Sequence, residues 1–182
     1  MQYKLLGKSG IRVSELSLGA MTFGTDWGFG ADEQESRRIF DTYLNAGGNF
    51  IDTANIYTRG TSEKLLGSFI QEERHNLVIA SKYTLSEAGK INQAGNHIKN
   101  MMQSVEDSLK RLDTPYIDLY YVHAWDFTTH PQELMRSLEN LVRQGKILTI
   151  GISDTPAWLV SRCNTLAELK GWSQFVAYQI EY

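Results

Sequence analysis

An α/β protein built on a parallel sheet is what this sequence predicts, on three observations. Short apolar runs recur about every 30 residues, a stretch of helical period separates each pair, and most of the runs end on a polar or ionisable residue. At 182 residues the chain can form one domain with a sizeable core. Hydrophobic residues make up 42% of it and charged residues 21%, which is ordinary globular usage and argues against disorder.

Residues 3–14 hold two short extended pieces around Gly7-Lys8-Ser9-Gly10, whose turn chemistry predicts a terminal hairpin that plugs one end of the structure. Glu15 to Ala20 reads as the first buried strand, and the glycine- and aromatic-rich stretch from Thr22 to Gly30 as a long loop. Asp32 and Glu35 have the spacing of a capping box; Ile39, Phe40, Tyr43 and Leu44 follow at helical intervals until Gly47-Gly48. The alternation then repeats. A strand at Phe50–Asp52 precedes a helix carrying Leu65, Leu66, Phe69 and Ile70, and a strand at Leu77–Lys82 precedes one carrying Ile98, Met101, Val105, Leu109 and Leu112. Tyr116–His123 is the fourth strand, with Leu134, Leu138, Leu141 and Val142 striping the helix opened near Pro131. Gly145–Gly151 leads into the fifth, Thr155-Pro156 has the character of a helix cap and first turn, and Phe175–Gln179 is the sixth strand.

Two parallel architectures compete. An open dinucleotide-binding sheet places Gly-x-Gly-x-x-Gly directly after its first strand, and neither Gly7-Lys8-Ser9-Gly10 nor the glycines from Gly24 to Gly30 have that spacing. The (β/α)8 TIM barrel is favoured, although it needs eight units and about 250 residues. Residues 1–182 are therefore read as the N-terminal part of one barrel domain, about six βα units with an N-terminal β-hairpin. Such an arc leaves its first and sixth strands as edges, which would offer a route to self-association.

A net charge of −3 gives no basic footprint for nucleic acid. No apolar run approaches the roughly 18 residues of a membrane span, and nothing reads as a secretory signal. The single cysteine, Cys163, cannot form an internal disulfide and fits the cytoplasm, the compartment expected here. No His-x-x-x-His pair or cysteine cluster suggests a metal.

A barrel assembles its active site at the C-terminal ends of its strands. Those positions here are Gly19-Ala20-Met21, Asp52, Lys82, His123, Ser153-Asp154 and Gln179, with Tyr57 on the loop after the second strand. Each has an ordinary structural role open to it. Asp52 or Ser153 could cap a helix, Lys82 could end a strand in solvent, His123 could be a core histidine and Tyr57 a rim aromatic. Their coincidence in successive units favours chemistry. A free phenol titrates near about 10, and an ammonium beside it is expected to lower that value, so Lys82 would make Tyr57 a competent proton donor. Asp52 would hold Lys82 charged, and His123 would polarise a carbonyl. No Gly-x-Ser-x-Gly elbow supplies a nucleophile, so the attacking species must come from outside; a hydride from a nicotinamide would serve.

Taken together, Leu18-Gly19-Ala20-Met21-Thr22-Phe23-Gly24, Phe50-Ile51-Asp52-Thr53-Ala54, Tyr57, Ser62-Glu63-Lys64-Leu65-Leu66-Gly67, Ser81-Lys82, Ser108-Leu109-Lys110-Arg111-Leu112, Tyr116-Ile117-Asp118-Leu119 and Gly145-Lys146 through Gly151-Ile152-Ser153 resemble the N-terminal part of the aldo-keto reductase superfamily. His123-Ala124-Trp125-Asp126 and Asp154-Thr155-Pro156-Ala157-Trp158 are most similar to its aryl-alcohol dehydrogenase branch. The resemblance implies an NADPH-dependent reductase of small carbonyl compounds, with Asp52, Tyr57, Lys82 and His123 as the catalytic set. It implies that Ser153, Asp154 and Gln179 hold the nicotinamide carboxamide, with Met21 and Asp52 beside the cofactor. Asp154 departs from the asparagine usual in the superfamily: it can accept from an amide but cannot donate to its oxygen. Trp27, Phe29 and Trp125 on rim loops could wall a pocket for an aromatic substrate or pack the loops themselves. The family's later units carry most of the cofactor's outer contacts, so the 182-residue chain is expected to bind NADPH poorly and turn over little alone. A non-catalytic NADP-binding regulatory subunit, like the potassium-channel β subunits that resemble the same family, and an inactive remnant are the alternatives.

Overall fold

The computed structural model describes residues 1–87 and 89–181. Six parallel strands form one curled sheet in sequence order, β3 (Leu18–Gly19), β4 (Phe50–Asp52), β5 (Val78–Tyr83), β6 (Ile117–Val122), β7 (Ile147–Ser153) and β8 (Phe175–Gln179). Each neighbouring pair is joined through the outer layer, which holds α1 (Glu33–Asn45), α2 (Thr61–Phe69), α3 (Ile98–Leu112), α4 (Pro131–Arg143) and α5 (Ala157–Lys170). A separate antiparallel pair, β1 (Tyr3–Leu5) and β2 (Arg12–Ser14), forms the expected N-terminal hairpin. This is an incomplete TIM barrel, a six-strand half-barrel.

The two faces of the sheet bury different side chains. Ile51, Ile79, Tyr120, Val122 and Ile152 point out against Phe40, Leu66, Met101, Val105, Leu138 and Leu159 of the helices, forming the main core. On the concave side Val78, Ala80, Leu119 and Tyr121 pack against Leu6 and Val13 of the hairpin, so the hairpin is the plug. Its turn comes so close to β8 that a Cβ on Gly7, where φ is +53°, would lie 2.1 Å from the Val176 carbonyl oxygen. Burying each such apolar side chain contributes roughly 1.5–3 kcal/mol.

Local chemistry sets the element ends, with some departures from the sequence reading. The first sheet strand is Leu18–Gly19 rather than Glu15–Ala20, because only these residues find a partner, at Ile51 and Asp52. The capping box of α1 forms by half: the Glu35 amide donates to Asp32 Oδ1 at 2.9 Å, while the Glu35 carboxylate pairs with Arg38 instead of reaching back. Pro131 opens α4 as expected, behind a cap made by His130 Nδ1. In α5 Pro156 occupies the cap position rather than the first turn, and Thr155 turns its hydroxyl back to the Ser153 carbonyl at 2.7 Å. A bulge against β8 lies between Ile150 and Gly151. Register pairs Asp52 with Ala80, Lys82 with Tyr121, Val122 with Ile152 and Ser153 with Gln179, so successive strands end on one rim.

Candidate active site

The floor of the site is a line of three side chains. Lys82, near the end of β5 and 1% exposed, donates from Nζ to Asp52 Oδ2 at 2.5 Å, to the Thr53 carbonyl at 3.0 Å and to the Tyr57 hydroxyl at 3.3 Å. Gln179 adds a side-chain hydrogen bond to Asp52. His123 follows directly on β6, and its ring stands edge-on to Tyr57 with centroids 5.7 Å apart. Its Nδ1 is buried and has no hydrogen-bond partner among the described residues. Tyr57, Lys82, His123, Ser153, Asp154 and Gln179 line one cavity of about 350 Å³ together with Ile180 and Glu181. Asp52, Tyr57, Lys82, His123, Ser153, Asp154 and Gln179 are thus brought together from five of the six strands and their loops.

The other expected residues lie further out. Met21, two residues beyond β3, is half exposed and outside that cavity lining. Trp27 packs edge-on to the Tyr57 ring at 6.4 Å, touches Phe29 at 6.0 Å and donates from Nε1 to Glu87 at 3.0 Å. Trp125 is half-buried against the main core, while Phe29 is largely exposed.

Electrostatics overturn one expectation. Lys82 does not pull the Tyr57 phenol down; burial, with the charges of Asp52 and Asp154, pushes it up to about 12. Burial is the larger cause, and the two carboxylates add to it. Burial pushes Lys82 down and Asp52 up, each opposed by the other's charge across the 2.5 Å ion pair. Burial and the neighbouring Lys82 charge drive His123 down to about 4, so its imidazole is neutral at physiological pH.

Several supports carry no obvious signature in the sequence. After Tyr57 the backbone passes through Thr58 (φ 44°, ψ 45°) and Arg59 (φ 56°, ψ 32°) in the left-handed region before Gly60. Under this turn Glu63, fully buried, accepts from Ser81 Oγ at 2.6 Å and from Arg111 at 2.7 Å. On the rim Asp126 accepts from the Asn96, Thr128 and Thr129 amides and the Thr129 hydroxyl, at 2.6–2.9 Å. Burial works against that charge, but those hydrogen bonds outweigh it and hold the carboxyl down to about 2. The Ser-Glu spacing after Tyr57 and the arginine on α3 were visible, but nothing in spacing says that they meet.

The parallel half-barrel thus gathers an ammonium, a carboxylate, a phenol and an imidazole at its C-terminal rim, groups that can donate a proton or a hydrogen bond to an oxygen. The chain belongs to the aldo/keto reductase family, whose family model matches residues 15–182. It is 46% identical over 186 residues to a norsolorinic acid reductase of Aspergillus flavus, covering 96% of this chain and 48% of that protein. It is 44% identical over 188 residues to the aryl-alcohol dehydrogenase [NADP(+)] of Phanerodontia chrysosporium, covering 95% of this chain and 49% of that protein. A norsolorinic acid reductase of Emericella nidulans is 48% identical over 182 residues, 94% of this chain and 47% of that one. The chain spans about half the length of these relatives.

Proposed function

We propose that the protein is an NADPH-dependent oxidoreductase that reduces aldehydes or ketones to alcohols, with Tyr57 as the proton donor. The observation that carries this reading is the hydrogen-bonded line Asp52–Lys82–Tyr57 on the floor of a cavity walled by His123, Ser153, Asp154 and Gln179. Membership of the aldo/keto reductase family and a relative named for NADP(+) support it.

The donor set fits a nicotinamide carboxamide. Asp154 would accept from its NH2, and donation to its oxygen would fall to the Ser153 hydroxyl or the Gln179 amide, because a carboxylate has no proton to give. Met21, just beyond β3, and Asp52 would be the further residues beside the cofactor. When bound, the nicotinamide supplies the hydride.

Tyr57 and neutral His123 donate hydrogen bonds to the substrate oxygen, orienting it and drawing charge onto it. A phenol at about 12 is a weak acid toward water but a sufficient one toward an alkoxide, whose conjugate acid resembles water at about 15.7. Its high value keeps Tyr57 protonated until charge develops on the oxygen. As the proton leaves, the phenolate gains the attraction of the Lys82 ammonium 3.3 Å away, and Asp52 keeps that ammonium charged and aimed. Trp27, standing against the Tyr57 ring, favours a flat aromatic substrate, as the name of the aryl-alcohol dehydrogenase suggests for that relative; Trp125, on the loop after β6, is the second aromatic candidate for the pocket wall.

The test is NADPH oxidation by the protein with an aryl aldehyde, with and without Tyr57→Phe. The variant should lose about 10²–10⁴-fold in kcat. An unchanged rate would remove Tyr57 from the role of acid.

A further inference from the structure

The turn that carries Tyr57 is the one place in the described backbone where two consecutive non-glycine residues have positive φ. Thr58 and Arg59 are both left-handed, with φ 44° and 56°, and Gly60 continues at 89°. A left-handed conformation is unfavourable for a non-glycine residue, and a β-branched threonine adopts it rarely. Two such residues in succession persist only where the surroundings over-determine them.

The surroundings do so through one side chain. Thr58 is fully buried; its hydroxyl donates to the Phe23 carbonyl at 2.5 Å and accepts from the Ser62 amide at 3.0 Å. Phe23 belongs to the loop after β3, and Ser62 to the first turn of α2. Ser62 in turn donates to the Ala20 carbonyl at 2.7 Å and shares a 2.7 Å hydrogen bond with Thr53, which adjoins Asp52. The loop lies so close that a Cβ on Gly24, at φ +102°, would come 2.7 Å from Thr61 and 3.1 Å from Thr58 Oγ1. The Thr58 hydroxyl therefore bolts the strained turn to two elements on either side of the residue that reaches Lys82.

We propose that Thr58 is a positioning residue for the proton donor: its hydroxyl holds the left-handed turn that sets the Tyr57 phenol against Lys82 in the cavity floor. The inference rests on the reading of Tyr57 as the acid, but its structural half stands apart from it. Released from the clamp, the turn is no longer fixed in one conformation, and the phenol moves away from Lys82, Asp52 and the buried wall.

Two substitutions separate positioning from bare structural need. Thr58→Gly removes the clamp while supplying the residue that suits the backbone, so the fold is retained. Thr58→Ser keeps the hydroxyl and should behave like the parent. The direct readout is the titration of Tyr57, followed in protein with isotope-labelled tyrosine and identified by its loss in Tyr57→Phe. In the parent the Tyr57 signal should stay flat until close to about 12. In Thr58→Gly it should titrate near the free value of about 10, and in Thr58→Ser it should stay flat. With an aryl aldehyde and NADPH, Thr58→Gly should lose about 10–100-fold in kcat with little change in KM for NADPH. An unmoved Tyr57 titration in Thr58→Gly overturns the positioning role whatever the activity does. A moved titration alongside full activity of Tyr57→Phe leaves the clamp standing and removes the acid role instead.

Discussion

Replacing Arg111 by methionine tests how the support beneath the Tyr57 turn is built. Glu63 is fully buried, and its carboxylate is satisfied by Ser81 Oγ at 2.6 Å on one oxygen and by Arg111 at 2.7 Å on the other. Arg111→Met leaves a buried charge with one neutral donor, a change that typically costs about 3–5 kcal/mol. The Arg111 side chain is 23% exposed, and a cavity of about 500 Å³ beside it would admit water to the vacated position. The low end, about 3 kcal/mol, is therefore the better figure. In a domain of this size each kcal/mol lowers Tm by about 2–4 °C, so unfolding followed by circular dichroism should shift down by roughly 6–12 °C. Adding Glu63→Met removes the stranded charge and should recover about 2 kcal/mol, leaving a residual cost from the unpaired Ser81 hydroxyl. A single variant within about 1 kcal/mol of the parent, or a double variant equal to the sum of the singles, would show that the ion pair is incidental.

Two further outcomes concern the rim. His123 is held near 4 in the folded state against about 6.5 unfolded, so the unfolded chain binds the extra proton first; stability is full above about pH 6.5 and falls by up to about 3 kcal/mol as pH drops toward 4. Urea denaturation across that range should show a shallower slope in His123→Asn, and equal slopes would contradict the burial argument. Asp126→Ala strips the acceptor from three amides and a hydroxyl joining the loops after β5 and β6. It should cost about 1.5–3 kcal/mol near neutral pH, a loss that shrinks in the parent's disfavour only below about pH 4, where the carboxyl of the unfolded chain takes up its proton.

The fold was legible because its signals are local and repeated. Leu134, Leu138 and Leu141 stripe α4 at helical period, and continuous runs such as Ile117–Val122 are buried on both faces. Glu15 to Ser17 carry the same apolar-polar content but fall outside β3, since a strand's length depends on its neighbour and β4 offers only Phe50–Asp52. The candidate site was legible for a similar reason: the end of each strand is a sequence position, and parallel register carries those positions to one rim. What could not be read were partnerships across elements. Nothing in the spacing of Thr58, Glu63, Asn96 or Asp126 reveals that Phe23, Arg111, Thr84 and Thr129 are their partners.

The failed expectation for Tyr57 shows what such partnerships change. Lys82 alone would have lowered the phenol; here burial outweighs it, and the Asp52 and Asp154 charges push the same way as burial. Asp52 therefore bears on the acidity of the site as well as the orientation of the ammonium, and Asp52→Asn tests this with a definite sign. Removing the carboxylate deletes a repulsion that raises Tyr57, so the phenol loses its proton at lower pH. It also deletes the attraction that opposes the burial of Lys82, so the ammonium too gives up its proton at lower pH. Both changes act on the alkaline side, where Tyr57 must be protonated and Lys82 charged. The alkaline limb of kcat/KM for carbonyl reduction should move to lower pH, while the acidic side, with His123 neutral above about 4, should stay in place. A limb that stays fixed or moves upward would mean that the Asp52–Lys82 pair does not govern the proton on Tyr57.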